Sequence, residues 1–134
     1  MNKIVALIGV LVISLFLLQS CTKEEGIFED NDYRESFMGS WSATDQCSKQ
    51  TYGVDIKLDD GNSIQVIIVN FANTGRSAEA IIAGNNISVP RQDIGNDYIV
   101  SGDGKLSGQI ISWTSYTFET TGNHTECSAT FTKK

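Results

Sequence analysis

Glu126-Cys127-Ser128-Ala129-Thr130-Phe131-Thr132, just ahead of the terminal Lys133-Lys134, alternates without a break. Cys127, Ala129 and Phe131 fall on one side of an extended chain, and Glu126, Ser128, Thr130 and Thr132 on the other. That is the period of two of a half-buried strand. Early in the chain Phe37, Gly39, Trp41, Ala43 and Cys47 share one parity, with Asp45 interrupting the apolar series. Turn signals punctuate the region between: Asp59-Asp60-Gly61-Asn62, Asn73-Thr74-Gly75, Gly84-Asn85-Asn86, Gly95-Asn96-Asp97, Gly102-Asp103-Gly104 and Thr121-Gly122-Asn123. The runs between them are rich in Ile, Val, Thr and aromatics, which predicts strands at 39–45, 52–58, 63–71, 77–83, 86–90, 98–102, 109–118 and 126–132. Pro90 marks a strand end, since proline cannot donate to a ladder. No stretch after Glu35 combines helical spacing with caps. The expectation is an all-β domain of about eight antiparallel strands, an up-and-down meander closed as a barrel or stacked as a sandwich.

The opening of the chain has a different character. Met1-Asn2-Lys3 precedes an uncharged apolar run over 4–18, which ends in Gln19-Ser20-Cys21. The run is short of the roughly 20 residues of a membrane-spanning helix, and it lacks the A-x-A-like site of an ordinary secretory signal. Leu18-Gln19-Ser20-Cys21 resembles the lipobox of bacterial lipoproteins. The resemblance implies cleavage before Cys21, diacylation of its sulfur and acylation of its new amino group. Thr22-Lys23-Glu24-Glu25 resembles the export signal of surface lipoproteins in Bacteroidota, which implies a lipid anchor in the outer membrane with the domain facing the cell exterior. Residues 1–20 are therefore expected to be a lipoprotein signal peptide, 21–36 an acidic flexible tether, and 37–134 the β-domain. Between Thr22 and Glu35 stand six acids and two bases, a composition that buries too little apolar surface to order itself.

Loss of residues 1–20 removes Lys3 from a chain of formal charge −6, leaving −7. Such an acidic exterior repels phosphate backbones, so no nucleic-acid partner is expected. With Cys21 lipidated, Cys47 and Cys127 remain, in a compartment where disulfides persist. Their pairing closes a loop of about eighty residues and contributes on the order of 4.5 kcal/mol by chain entropy. Cys47 lies just past the first predicted strand and Cys127 near the start of the last. Antiparallel pairing of those strands brings the two sulfurs together and closes a barrel that has no free edges. A sandwich could also bring these ends together; closure is the expectation.

Phe37-Met38-Gly39-Ser40-Trp41 resembles the G-x-W opening of lipocalin-type barrels. Together with the anchor, the acidic tether, an early Cys and a terminal Cys-x-Ala-x-Phe followed by Lys, it makes nearly the whole chain similar to small lipocalin-like lipoproteins of Bacteroidota. The resemblance implies a Trp41 packed across a closed barrel base, often beneath an Arg from the last strand; here Lys133 and Lys134 stand at that point. It also implies a barrel that binds a small apolar or amphipathic ligand. Short strands, however, leave room mainly for side chains.

Catalytic patterns are absent from the sequence. His124 stands alone in a polar turn, and neither a nucleophile elbow, a zinc-protease motif nor a phosphate-cradling loop occurs. Asp55, Asp59 and Asp60 with Asn62 could suggest a calcium loop, but Asp59-Asp60-Gly61-Asn62 matches a tight hairpin turn better and no acid follows at the twelfth loop position. No enzyme activity, cofactor or metal is expected, and the sequence singles out no ligand-binding residue. Ile64, Val66 and Ile68 share one face of their strand and Ile67, Val69 and Phe71 the other, so both faces are buried or one meets a partner. Trp113 and Tyr116 fall on opposite faces by parity, so at least one is expected to look outward. Two functions stay open: a barrel holding a small hydrophobic ligand, or a filled barrel whose surface contacts a protein or glycan partner as an accessory or inhibitor.

Overall fold

The structure, a computed structural model, describes residues 31–134. The signal peptide, Cys21 and the first part of the tether lie outside the described residues. Eight strands follow in order: β1 Gly39–Asp45, β2 Thr51–Leu58, β3 Gln65–Val69, β4 Ala78–Ala83, β5 Asn86–Asp93, β6 Ile99–Ser107, β7 Ile110–Thr120 and β8 Asn123–Lys133. Each pairs antiparallel with its neighbours in sequence, and β1 pairs with β8, so the sheet is a closed up-and-down barrel. The expected closure is met in register: Trp41 faces Lys133, Ala43 faces Phe131 and Asp45 faces Ala129.

Alternation places the core. Trp41 and Ala43 of β1, Val54 and Ile56 of β2, Val66 and Ile68 of β3, and Ala129 and Phe131 of β8 are all buried on the barrel axis. The outer partners of β3, Ile67 and Val69, are only half-buried. Asp45 keeps the inward parity rather than breaking it, and is itself buried.

Three sequence expectations are corrected. Gly102-Asp103-Gly104 is no turn; β6 runs through it and turns instead at Gly108-Gln109. These two inward glycines make room for rings: a Cβ on Gly102 would stand 2.8 Å from Cβ of Tyr116, and one on Gly104 would stand 3.1 Å from Cδ2 of Trp113. Secondly, β5 continues past Pro90 to Asp93, with the irregularity absorbed as a register shift between Val89 and Gln92. Thirdly, Trp113 and Tyr116 both face inward. Trp113 pairs with Ala129 and Tyr116 with Cys127, so two residues of β7 oppose the single Ser128 between them. That bulge restores the parity that simple counting assigns to opposite faces.

The up-and-down path gives the barrel two distinct ends. At one, the base, lie the turn before β1, the β2–β3 loop over 59–64, the turns at 84–85 and 108–109, and the chain's end. At the other, the mouth, lie the segments 46–50, 70–77, 94–98 and 121–122.

The base is sealed. Residues Tyr33–Ser36, counted with the tether in the sequence, form a 3-10 turn capped by the Asp32 carboxylate, which accepts from the Arg34 backbone N–H. Arg34 then donates Nη1 to the carbonyl oxygens of Asn62 at 2.8 Å, Gln65 at 3.2 Å and Asp59 at 3.3 Å. The carbonyls of the acidic Asp59–Asn62 loop thus converge on a guanidinium. Behind it, Trp41 is fully buried and donates Nε1 to the Phe37 carbonyl at 2.8 Å. Lys133 takes the place expected for an arginine: its Nζ lies 5.3 Å from the Trp41 ring centroid and donates to the Ser36 carbonyl at 3.2 Å.

Candidate functional site

The mouth is closed by a side chain delivered from a loop. After Val69 the chain leaves the sheet at Asn70 and turns through a short 3-10 segment, Phe71–Asn73. Asn70, Ala72 and Asn73 all sit at φ between 53° and 63°. Asparagine tolerates the left-handed region because its side chain bonds locally; a left-handed alanine costs about 1–2 kcal/mol. Asn70 fixes the departure twice: Nδ2 donates to the Gly53 carbonyl at 2.8 Å, and Oδ1 accepts from the Gly75 backbone at 2.7 Å. Thr74 donates its hydroxyl to the Phe71 carbonyl at 2.7 Å, and the Phe71 N–H bonds to the Arg76 carbonyl at 3.0 Å. The product of this wrapping is a Phe71 ring only 2% exposed, pushed down the barrel axis.

There it meets the rings that Gly102 and Gly104 make room for. Phe71 stands edge-on to Trp113 with centroids 5.4 Å apart and to Tyr116 at 5.9 Å; Trp113 in turn packs on Phe131 at 5.4 Å. Each such pair contributes about 0.5–1.5 kcal/mol beyond area burial. Tyr52, Phe71, Ala72, Trp113, Tyr116 and Phe131 line a narrow chamber with no room for a water molecule. Trp113 is buried, yet its indole Nε1–H has no acceptor among the described residues. An unpaired buried donor costs about 1–3 kcal/mol.

A polar cluster borders the chamber. The Asp45 carboxylate accepts the Tyr116 hydroxyl, the Cys47 backbone N–H at 2.6 Å and that of Ser48 at 3.3 Å. Burial pushes the Tyr116 phenol far above its ordinary value, and the bond to Asp45 adds to the shift. Tyr52 is pushed up to about 12, by burial first and then by the charge of Asp45. The expected disulfide is present beside this cluster: Cys47 and Cys127 are joined, with Cα atoms 5.7 Å apart. Among the described residues Asp45, Cys47 and Cys127 also stand close enough to share an ion, but both sulfurs are committed to each other.

His124 is an exposed residue of β8, its Nδ1 2.9 Å from the Glu119 carboxylate. Glu119 also takes Arg91 at 2.7 Å, and these two partners, Arg91 foremost, hold its carboxyl below the usual range. Arg91, Glu119 and His124 thus form a charged cluster on the barrel surface. Cys21 lies outside the described residues.

Sequence reading found the disulfide but not the plug. The available signal was a strand apolar on both faces and flanked by Asn70 and Asn73, two residues suited to a left-handed turn. Neither a protein-family model, a curated protein nor a solved structure matches this chain.

Proposed function

We propose that the chain is a non-enzymatic, lipid-anchored protein of the outer membrane that faces the cell exterior. In this reading the barrel is a filled scaffold that contacts a protein or glycan partner, the accessory or inhibitor role, rather than a carrier with a standing cavity. The observation that supports it is the interior: Phe71, Trp113 and Phe131 pack ring against ring and leave no space for a water molecule among them, while Trp41 fills the base. A carrier of apolar ligands needs a largely preformed pocket of several hundred cubic ångströms. Arg34 holds the residues just before β1 at the base, so the chain enters the barrel at its sealed end.

The test is displacement of a large, multi-ring hydrophobic fluorophore by the native full chain. No saturable 1:1 binding is expected; saturable binding overturns the filled-scaffold reading. For the anchor, Cys21→Ala is expected to move the protein from the membrane fraction to the soluble fraction, and an unchanged membrane fraction overturns it.

A further inference from the structure

We propose that the outer face of β3 and β4 is an interface for a second copy of this chain, paired about a twofold axis that runs along β3. This goes beyond the filled-scaffold reading, since a barrel with any interior would pair in the same way, and it does not rest on the anchor.

The outward positions of the barrel are not alike. On β1, β7 and β8 they carry hydroxyls: Thr44 stands beside Thr130, Thr130 beside Ser112, and Ser42 beside Thr132. On the opposite side of the barrel β3 and β4 carry aliphatics instead. Ile67 and Val69 point outward on β3, and Ile81 does so on β4, one register step from Ile67. All three are half-buried and still reach solvent, and Ile64, just ahead of β3, is 53% exposed. A strand apolar on both faces is either covered on both or meets a partner. Here Val66 and Ile68 fill the core, and the described residues leave the outer face open.

Charge identifies the occupant. In the register row through Ile67, Lys57 of β2 stands on one side and Glu79 of β4 on the other. Both are exposed, and neither makes an ion pair among the described residues. Neighbouring strands lie about 4.8 Å apart, so the opposite charges flank Ile67 at equal spacing. Rotation by half a turn about an axis parallel to β3 lays Ile67 against its own copy and Lys57 against Glu79, twice over. That self-complementary pattern is what an isologous contact requires. A partner of another kind would have to supply both charges in mirrored order; a second copy already carries them.

The shape of the barrel agrees. A closed sheet curves away from any line of contact, so the gap between two copies is narrowest over β3 and widens over β2 and β4. The short branched side chains of Ile67 and Val69 stand where the gap is narrow, and the long ones of Lys57 and Glu79 where it is wide. Gln92 bonds both backbone groups of Glu79 at 2.8 Å, which fixes the strand from which that carboxylate projects. An apolar centre with a charged rim is the common anatomy of a protein contact. A contact centred on three aliphatic residues is smaller than the roughly 20–30 residues a side of a standard stable interface, so the pairing is reversible.

The experiment mixes unlabelled and ¹⁵N-labelled full chain and treats it with a zero-length carbodiimide, which joins an amine to a carboxylate only where the two touch. The expected product is a mixed-isotope dimer whose joined peptides carry Lys57 and Glu79, alongside a concentration-dependent dimer in sedimentation. Ile67→Lys should abolish the pairing. Lys57→Glu and Glu79→Lys alone should each weaken it by on the order of tenfold, because two attractive pairs become repulsive. Combined in one chain they should restore it. Ser112→Lys, on the hydroxyl face, should leave it unchanged. These side chains lie outside the core, and an unfolding midpoint confirms that each variant is folded. The proposal is overturned if the native chain stays monomeric at millimolar concentration, if the joined peptides lack the Lys57–Glu79 pair, or if the double variant pairs no better than the single ones. It is equally overturned if Ile67→Lys has no more effect than Ser112→Lys. Binding of the large fluorophore would instead count against the filled-scaffold reading alone.

Discussion

The two tryptophans of this barrel are both buried in its interior and are treated differently. Trp41, at the base, gives its N–H to Phe37 and lies under Lys133. Trp113, lower in β7, has no acceptor among the described residues and is covered by a ring brought in from the mouth loop. The base is covered by chain that Arg34 ties to distant carbonyls, the mouth by the Phe71 ring on a loop whose own hydrogen bonds hold three residues in the left-handed region. A barrel of this size can therefore be filled throughout and still be complete at only one end.

Removing the staple that holds the mouth is the largest perturbation expected. The double change Cys47→Ser with Cys127→Ser should cost on the order of 4 kcal/mol in denaturant unfolding, the loop-closure entropy of a cross-link spanning 80 residues. A cost near zero would mean that the mouth strands are fixed by other contacts.

The tryptophans themselves give the next effect. Trp41→Phe leaves the Phe37 carbonyl unpaired, whereas Trp113→Phe removes an unpaired donor. The base variant should be the less stable of the two by about 1–3 kcal/mol, as read from chemical denaturation midpoints at equal slope. Equal losses would contradict the asymmetry.

Alkaline pH should act through the two buried tyrosines beside Asp45. Tyr52 and Tyr116 ionise near 10.0 when unfolded and above that when folded. Above about pH 10 the unfolded state therefore releases phenolic protons that the folded state retains, and stability falls as pH rises toward 12 and beyond. Tyr52→Phe should flatten that fall between pH 10 and 12, measured by unfolding at a series of pH values; an unchanged slope would remove Tyr52 from the account. The smallest effect is expected from Ala72→Gly. Relief of the left-handed alanine exceeds the entropy a glycine costs, so stability should rise by about 0.5 kcal/mol.

Much of this architecture was legible in the sequence, and what was not has local causes. Cys127, Ala129 and Phe131 alternate because β8 is regular, and regular strands announce themselves. The inward pairing of Trp113 and Tyr116 stayed hidden because a bulge adds one residue without any composition signal. Gly102 and Gly104 read as a turn because glycine serves both purposes; only the rings opposite them tell which. Arg34 looked like part of a solvated tether, since its partners are backbone carbonyls twenty-five to thirty-one residues away that no side-chain pattern records. Phe71 was visible as an apolar residue on the wrong face. Its destination depended on three left-handed residues that only the fold assembles.

Native-state hydrogen exchange of the two indole N–H groups tests the contrast between the ends most directly. The Trp41 proton should exchange only when the whole barrel unfolds, and the Trp113 proton through local opening of the loop over 70–77, faster by on the order of a hundredfold. Equal rates at the global limit would contradict the account, because the mouth would then be as permanently closed as the base.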